Sequence, residues 1–104
     1  MMGTLRPLSV QERAEHLLRH TFAPAGDEPV SRINALNSLG GSGNANLAKR
    51  REWAIAWQLL QRVGFICREP DSPRNGDWWF LTPAGRTSLK SDFEGSLLLA
   101  LRQP

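Results

Sequence analysis

Between Asn46 and Arg86 the hydrophobic pattern changes period twice, and each change is marked by a residue with its own backbone preference. From about Asn46 to Val63 the apolar residues recur at helical spacing. Wound at about 3.6 residues per turn, Trp53, Ala56, Trp57, Leu60 and Val63 form one stripe that predicts a long core-facing helix. Gly64 follows in the position where helices commonly end on a left-handed residue. Phe65 to Glu69 then predicts a strand, and Pro70 to Gly76 carries the Pro, Asp, Ser and Asn-Gly signals of a hairpin loop. Asp77 to Leu81 is the aromatic return strand. Its alternation turns either Trp79 and Leu81 or Trp78 and Phe80 inward. Thr82-Pro83 supplies an N-cap followed by proline at the first helical position, opening a last helix toward about Arg102. Ser91-Asp92-Phe93-Glu94 has the form of a capping box and offers a break near Lys90 to Asp92.

Upstream, Ser9-Val10-Gln11-Glu12 is also a capping box, and Val10, Ala14, Leu17, Leu18 and Thr21 continue at helical spacing, so a first helix is expected from Ser9 to Phe22. Ala23 to Pro29 is a loop by composition. Val30 to Leu39 predicts a short second helix with Val30, Ile33, Leu36 and Leu39 on its apolar side, and Gly40-Gly41-Ser42-Gly43-Asn44 follows as a flexible connection. The 104 residues suffice for one modest core. The expected organisation is a flexible N-terminus over 1–8, one domain over 9–90 and a C-terminal helix over 91–104. The fold class is α+β, mainly helical: three helices, a two-stranded β-hairpin and a C-terminal helix.

The segment Leu59-Leu60-Gln61-Arg62-Val63-Gly64-Phe65-Ile66, a polar turn, and Trp79-Phe80-Leu81-Thr82-Pro83-Ala84-Gly85-Arg86 resembles the MarR and PadR families of bacterial transcriptional regulators. Those families show a helix ending in a glycine before a Leu-Ile pair, a wing, and a Leu-Thr-x-x-Gly-Arg start to the next helix. The resemblance spans about a third of the chain, from Trp53 to Leu89. It implies a winged helix-turn-helix whose long helix is the recognition helix.

The outer stripe of the long helix carries Arg51, Ala54, Ile55, Gln58 and Arg62, with Lys49 and Arg50 near its start. Arginine can take guanine bidentately, glutamine can pair with adenine, and an aliphatic side chain can touch the thymine methyl. Lysine and arginine at the helix start can hold phosphates, and the glycine-rich connection leading into that start favours a phosphate as well. Arg68, Arg74 and Asn75 stand on or beside the hairpin, where a wing reaches backbone, with Asp71 and Asp77 close enough in sequence to cancel that charge. Double-stranded DNA is therefore the expected partner, bound by Lys49, Arg50, Arg51, Ile55, Gln58, Arg62, Arg68, Arg74 and Asn75. The net charge of +3 permits such a partner. The alternative is a protein-interaction winged helix, an adaptor using exposed aromatics and the C-terminal helix. An accessible basic outer face favours DNA, whereas a face occluded by Asp or Glu favours protein.

Leu89, Phe93, Leu97, Ala100 and Leu101, widened by Leu98 and Leu99, form an apolar stripe that predicts a homodimer through the last helix. The competing expectation is that the helix closes the monomer core against Val10, Ala14 and Leu17. Cys67 is the one cysteine, so no intramolecular disulfide and no cysteine-based zinc site can form. A strand cysteine of this kind is expected in the core. His16 and His20 stand four apart without a third ligand and are expected as surface histidines. Gly40-Gly41-Ser42-Gly43 lacks the Lys-Ser/Thr of a phosphate-binding loop, and no Gly-x-Ser-x-Gly nucleophile motif occurs. No enzyme activity, cofactor or metal is expected. Met1 to Pro7 has no apolar run behind a basic segment, and Leu97 to Leu101 is far too short to span a bilayer, so a cytoplasmic protein with no membrane partner is expected.

Overall fold

A computed structural model of the chain describes residues 8–40, 46–70 and 77–102. The first helix, α1 (Val10–Leu17), starts on a reciprocal cap: the Ser9 hydroxyl accepts the Glu12 N–H at 3.1 Å, and Glu12 Oε1 accepts the Ser9 N–H at 2.9 Å. The helix widens into a π-helical turn over Leu18–Phe22 and ends in a short 3-10 turn, Ala23–Ala25. Then follow β1 (Val30–Ser31), α2 (Arg32–Gly40), α3 (Leu47–Arg62), β2 (Ile66–Arg68), β3 (Trp78–Leu81), α4 (Pro83–Lys90) and α5 (Phe93–Leu101). The protein is α+β and mostly helical, with five α-helices around a small antiparallel sheet of order β1-β3-β2.

Trp57 of α3 lies at the centre of the core, fully buried, with the Phe22 ring centroid at 5.0 Å and Trp79 edge-on at 6.0 Å. Leu17, Leu18, Leu60, Ile66 and Leu97 close around them. The α3 stripe enters this core as its spacing predicts: Trp53, Ala56, Trp57 and Leu60 are buried and Val63 packs at the margin. Gly64 takes φ +78°, the left-handed cap that ends α3. The β3 alternation resolves with Trp79 and Leu81 buried and Trp78 and Phe80 half-buried. Thr82 caps α4, accepting the Gly85 N–H at 3.1 Å, and its own hydroxyl donates to the Gly64 carbonyl at 2.6 Å, so one side chain starts a helix and fastens it to the end of another.

Five expectations are corrected. The hairpin is not a two-stranded sheet: Val30 and Ser31, assigned to the second helix by their spacing, pair with Trp79 and Trp78 as a third strand. A two-residue strand is defined by its partner and leaves no period of its own to read. In α2 Ala35 turns inward with Leu36 and Leu39 beside it, and Ile33, expected on the apolar side, is 59% exposed. The last helix does break, but Asp92 rather than Ser91 is the N-cap and no side-chain cap bond forms there. Cys67 is exposed on β2 and not in the core. The C-terminal stripe divides: Phe93 and Leu97 belong to the core of the same chain, with Leu89 and Ala100 against it, and only Leu98, Leu99 and Leu101 remain exposed.

Candidate nucleic-acid interface

The outward face of α3 follows from the depth of its inward stripe. Two tryptophans and Leu60 fix the rotation of the helix, so the residues opposite them must face solvent. On that face Arg51, Ile55, Gln58 and Arg62 are exposed and Ala54 is half-buried, while Lys49, four residues before Trp53, is exposed at the start of the helix. Among the described residues Lys49, Arg51 and Arg62 make no ion pair. Glu52, the single acid of the helix, is turned to the α1 side. There its carboxylate takes Arg13 at 3.1 Å, and the Arg13 guanidinium also lies 6.0 Å from the Trp53 ring centroid. The acid that could have neutralised the basic face is thus held away from it.

Arg50 differs from its neighbours. It is half-buried, its Nη1 reaches Asn37 Oδ1 at 3.5 Å, and its backbone lies where α2 ends. A β-carbon on Gly40 would come within 2.8 Å of Arg50 Cα, so glycine at this position permits the close approach of the two helices. Arg50 joins α2 to α3 as well as contributing charge. Beside it a shallow groove of about 190 Å³ runs between the helices, lined by Ile33, Leu36, Asn37, Leu47, Arg50 and Ala54. Ile33, expected on the apolar side of the second helix, and Leu47, the first residue of α3, are both exposed on this groove.

The hairpin side is less open. Arg68 is exposed, but its Nε is 3.7 Å from Asp77 Oδ1. Asp77 also pairs with Arg32 and accepts the Trp79 indole N–H at 2.6 Å, while its carbonyl accepts the Arg32 N–H at 2.9 Å. Asp77 therefore ties β3 to the start of α2 and offsets the charge of Arg68, as its place beside the hairpin suggested. Arg32 was not singled out in the sequence, because its partner lies far along the chain. Arg74, Asn75 and Asp71 lie outside the described residues, as does the connection 41–45 before α3.

The rings of His16 and His20 lie with centroids 4.5 Å apart, tilted by 38°, and His16 also meets Trp53 at 5.3 Å. Burial, reinforced by the charge of His20, holds the His16 imidazole below its ordinary pKa. Among the described residues no group of three or more His, Cys, Asp or Glu could hold a metal ion, and no helix is long and apolar enough to cross a membrane. Comparison of the chain with models of protein families, with curated proteins and with solved structures finds no match.

Proposed function

We propose that the chain is a winged helix-turn-helix protein that binds double-stranded DNA through the outer face of α3 and regulates transcription by occupying its site, with no chemistry of its own. The observation that carries this reading is the accessible, unopposed basic face: Arg51 and Arg62 exposed with Gln58 and Ile55, Lys49 exposed near the start of the helix, and Glu52 taken by Arg13. Such a face offers phosphate ligands together with donors and an aliphatic contact suited to base edges in the major groove. The element order supports the same reading, since α2 and α3 precede a hairpin and a capped helix. Arg68 serves phosphate from the hairpin only by leaving Asp77, so its share is smaller than that of the helix.

The test is binding to mixed-sequence duplex DNA across a salt series. Phosphate contacts make log K fall linearly with log salt, and each contact removed lowers the slope by about one unit. Replacing Lys49, Arg51 and Arg62 together with alanine is expected to flatten the slope by about two to three units. Arg50 is left intact because it supports the α2–α3 junction. Absence of duplex binding by the unaltered protein at low salt overturns the proposal.

A further inference from the structure

The groove of about 190 Å³ between α2 and α3 has an aliphatic floor, made by Ile33 and Leu36 from α2 and by Leu47 and Ala54 from α3. Ile33 is 59% and Leu47 37% exposed, so two large apolar side chains stand open on one concave surface. The α3 wall is cationic: Arg51 is exposed and Arg50 half-buried, and both line the groove. No acid of these two helices balances Arg51. Helix α2 contains no Asp or Glu, and Glu52, the single acid of α3, pairs with Arg13 of α1. A DNA duplex engages Arg51 through phosphate or a base edge, but its polar backbone does not match an aliphatic floor. The volume is also below the roughly 300–1,000 Å³ of small-molecule sites.

We propose that this groove docks a short amphipathic helix of a partner protein, with leucine-like side chains on one face and carboxylates beside them. Charge complementarity selects that occupant. Its apolar residues, spaced three and four apart, fill the floor between Ile33 and Leu47, and the carboxylates at the edge of its apolar face reach Arg51. A neutral helix would fill the same floor and leave Arg51 without a counter-charge, and a basic one would set like charges together. The contact is small, so docking is weak and belongs at high micromolar concentration. A consequence rests on the reading of α3 as the DNA-binding helix. The docked segment occupies Arg51, so peptide and duplex exclude one another, and an acidic partner releases the protein from its site.

The probe is the acetylated, amidated peptide Glu-Leu-Glu-Ala-Leu-Leu-Glu-Glu-Leu-Ala-Glu, titrated into the full chain and followed by heteronuclear NMR. Saturable shifts centred on α2 and the first half of α3 are expected. The same peptide with every glutamate replaced by glutamine is expected to bind about fivefold more weakly. Ile33→Ser changes an exposed side chain and leaves the fold intact. It is expected to raise the peptide Kd about tenfold without changing duplex affinity, whereas Arg51→Ala weakens both. Added peptide is expected to displace bound duplex. Absence of shifts on α2 and α3, or equal binding of the glutamine peptide, overturns the proposal and leaves the DNA reading standing. An Ile33→Ser variant that loses duplex affinity as steeply as peptide affinity assigns the groove to the DNA footprint and overturns the proposal as well. Peptide binding by a chain that binds no duplex upholds the docking site and overturns the DNA reading, and with it the exclusion.

Discussion

A β-carbon on Gly85 would overlap the Phe65 carbonyl oxygen and come within 2.6 Å of Leu81 Cδ1, whereas one on Gly64 would meet nothing within 4 Å. The two glycines are therefore required for different reasons. Gly64 is needed for its backbone, at φ +78°, and Gly85 for its lack of volume, at an ordinary helical φ. Gly64→Ala is expected to cost about 1 kcal/mol, the strain of a left-handed alanine. Gly85→Ala is expected to cost about 2–3 kcal/mol, because the obstacle is backbone that also accepts the Thr82 N–H at 3.1 Å and cannot simply rotate away. Urea unfolding of the two variants checks the ranking. Equal losses would show that α4 can move off the end of β2 at little cost. The sequence displayed Gly64 clearly, since a glycine closing a helical pattern has a local meaning. Gly85 and Gly40 were not legible in that way, because what they make room for, Phe65 and Arg50, is brought to them by the fold.

At the scale of elements, the features that could be read were those whose cause is local. The Ser9–Glu12 box, the Thr82-Pro83 start of α4 and the α3 stripe each need only a few neighbours along the chain, and each forms. Strand β1 needs β3, some fifty residues on, so its spacing alone reads as helix. Helix α1 shows how an element acquires a property from its partner. His16 is polar and sits on a helix with three carboxyl or guanidinium neighbours in sequence, yet burial beside Trp53 of α3 and the neighbouring charge of His20 disfavour its charge. The native pKa is lowered from 6.5, so the folded chain binds fewer protons than the unfolded chain once pH falls toward that value. Stability from a neutral His16 is full above 6.5 and is lost as pH drops through the lower native pKa. Thermal or urea unfolding measured between about pH 7.5 and about pH 5.5 is expected to show the decline, and His16→Gln to flatten it over that window. A variant with an unchanged pH profile would assign the decline to other groups.

Over the whole molecule, α5 has a buried and an exposed face side by side, and periodicity alone could not divide them. A run of Leu97-Leu98-Leu99-Ala100-Leu101 is apolar all round, so it predicts contact on every side without saying with what. The fold decides: Leu97 is fully buried and Phe93 meets Phe65 nearly edge-on at 6.1 Å, which makes the helix a wall of the core, while Leu98 one position later faces out. The consequence for substitution is a sharp contrast between neighbours. Leu97→Ala removes buried volume next to a closely packed aromatic centre and is expected to cost about 2–5 kcal/mol. That is a large part of the roughly 5–15 kcal/mol that holds a domain of this size together. Leu98→Ala trims an exposed side chain and is expected to change stability by less than about 0.5 kcal/mol. Leu97→Glu, which would place a charge in that core, is expected to unfold the chain, while Leu98→Glu leaves the fold intact. Circular dichroism melts at low micromolar protein separate the two positions. A Leu97→Glu variant that melts cooperatively near the parent temperature would mean that α5 is an appendage to the core and not one of its walls.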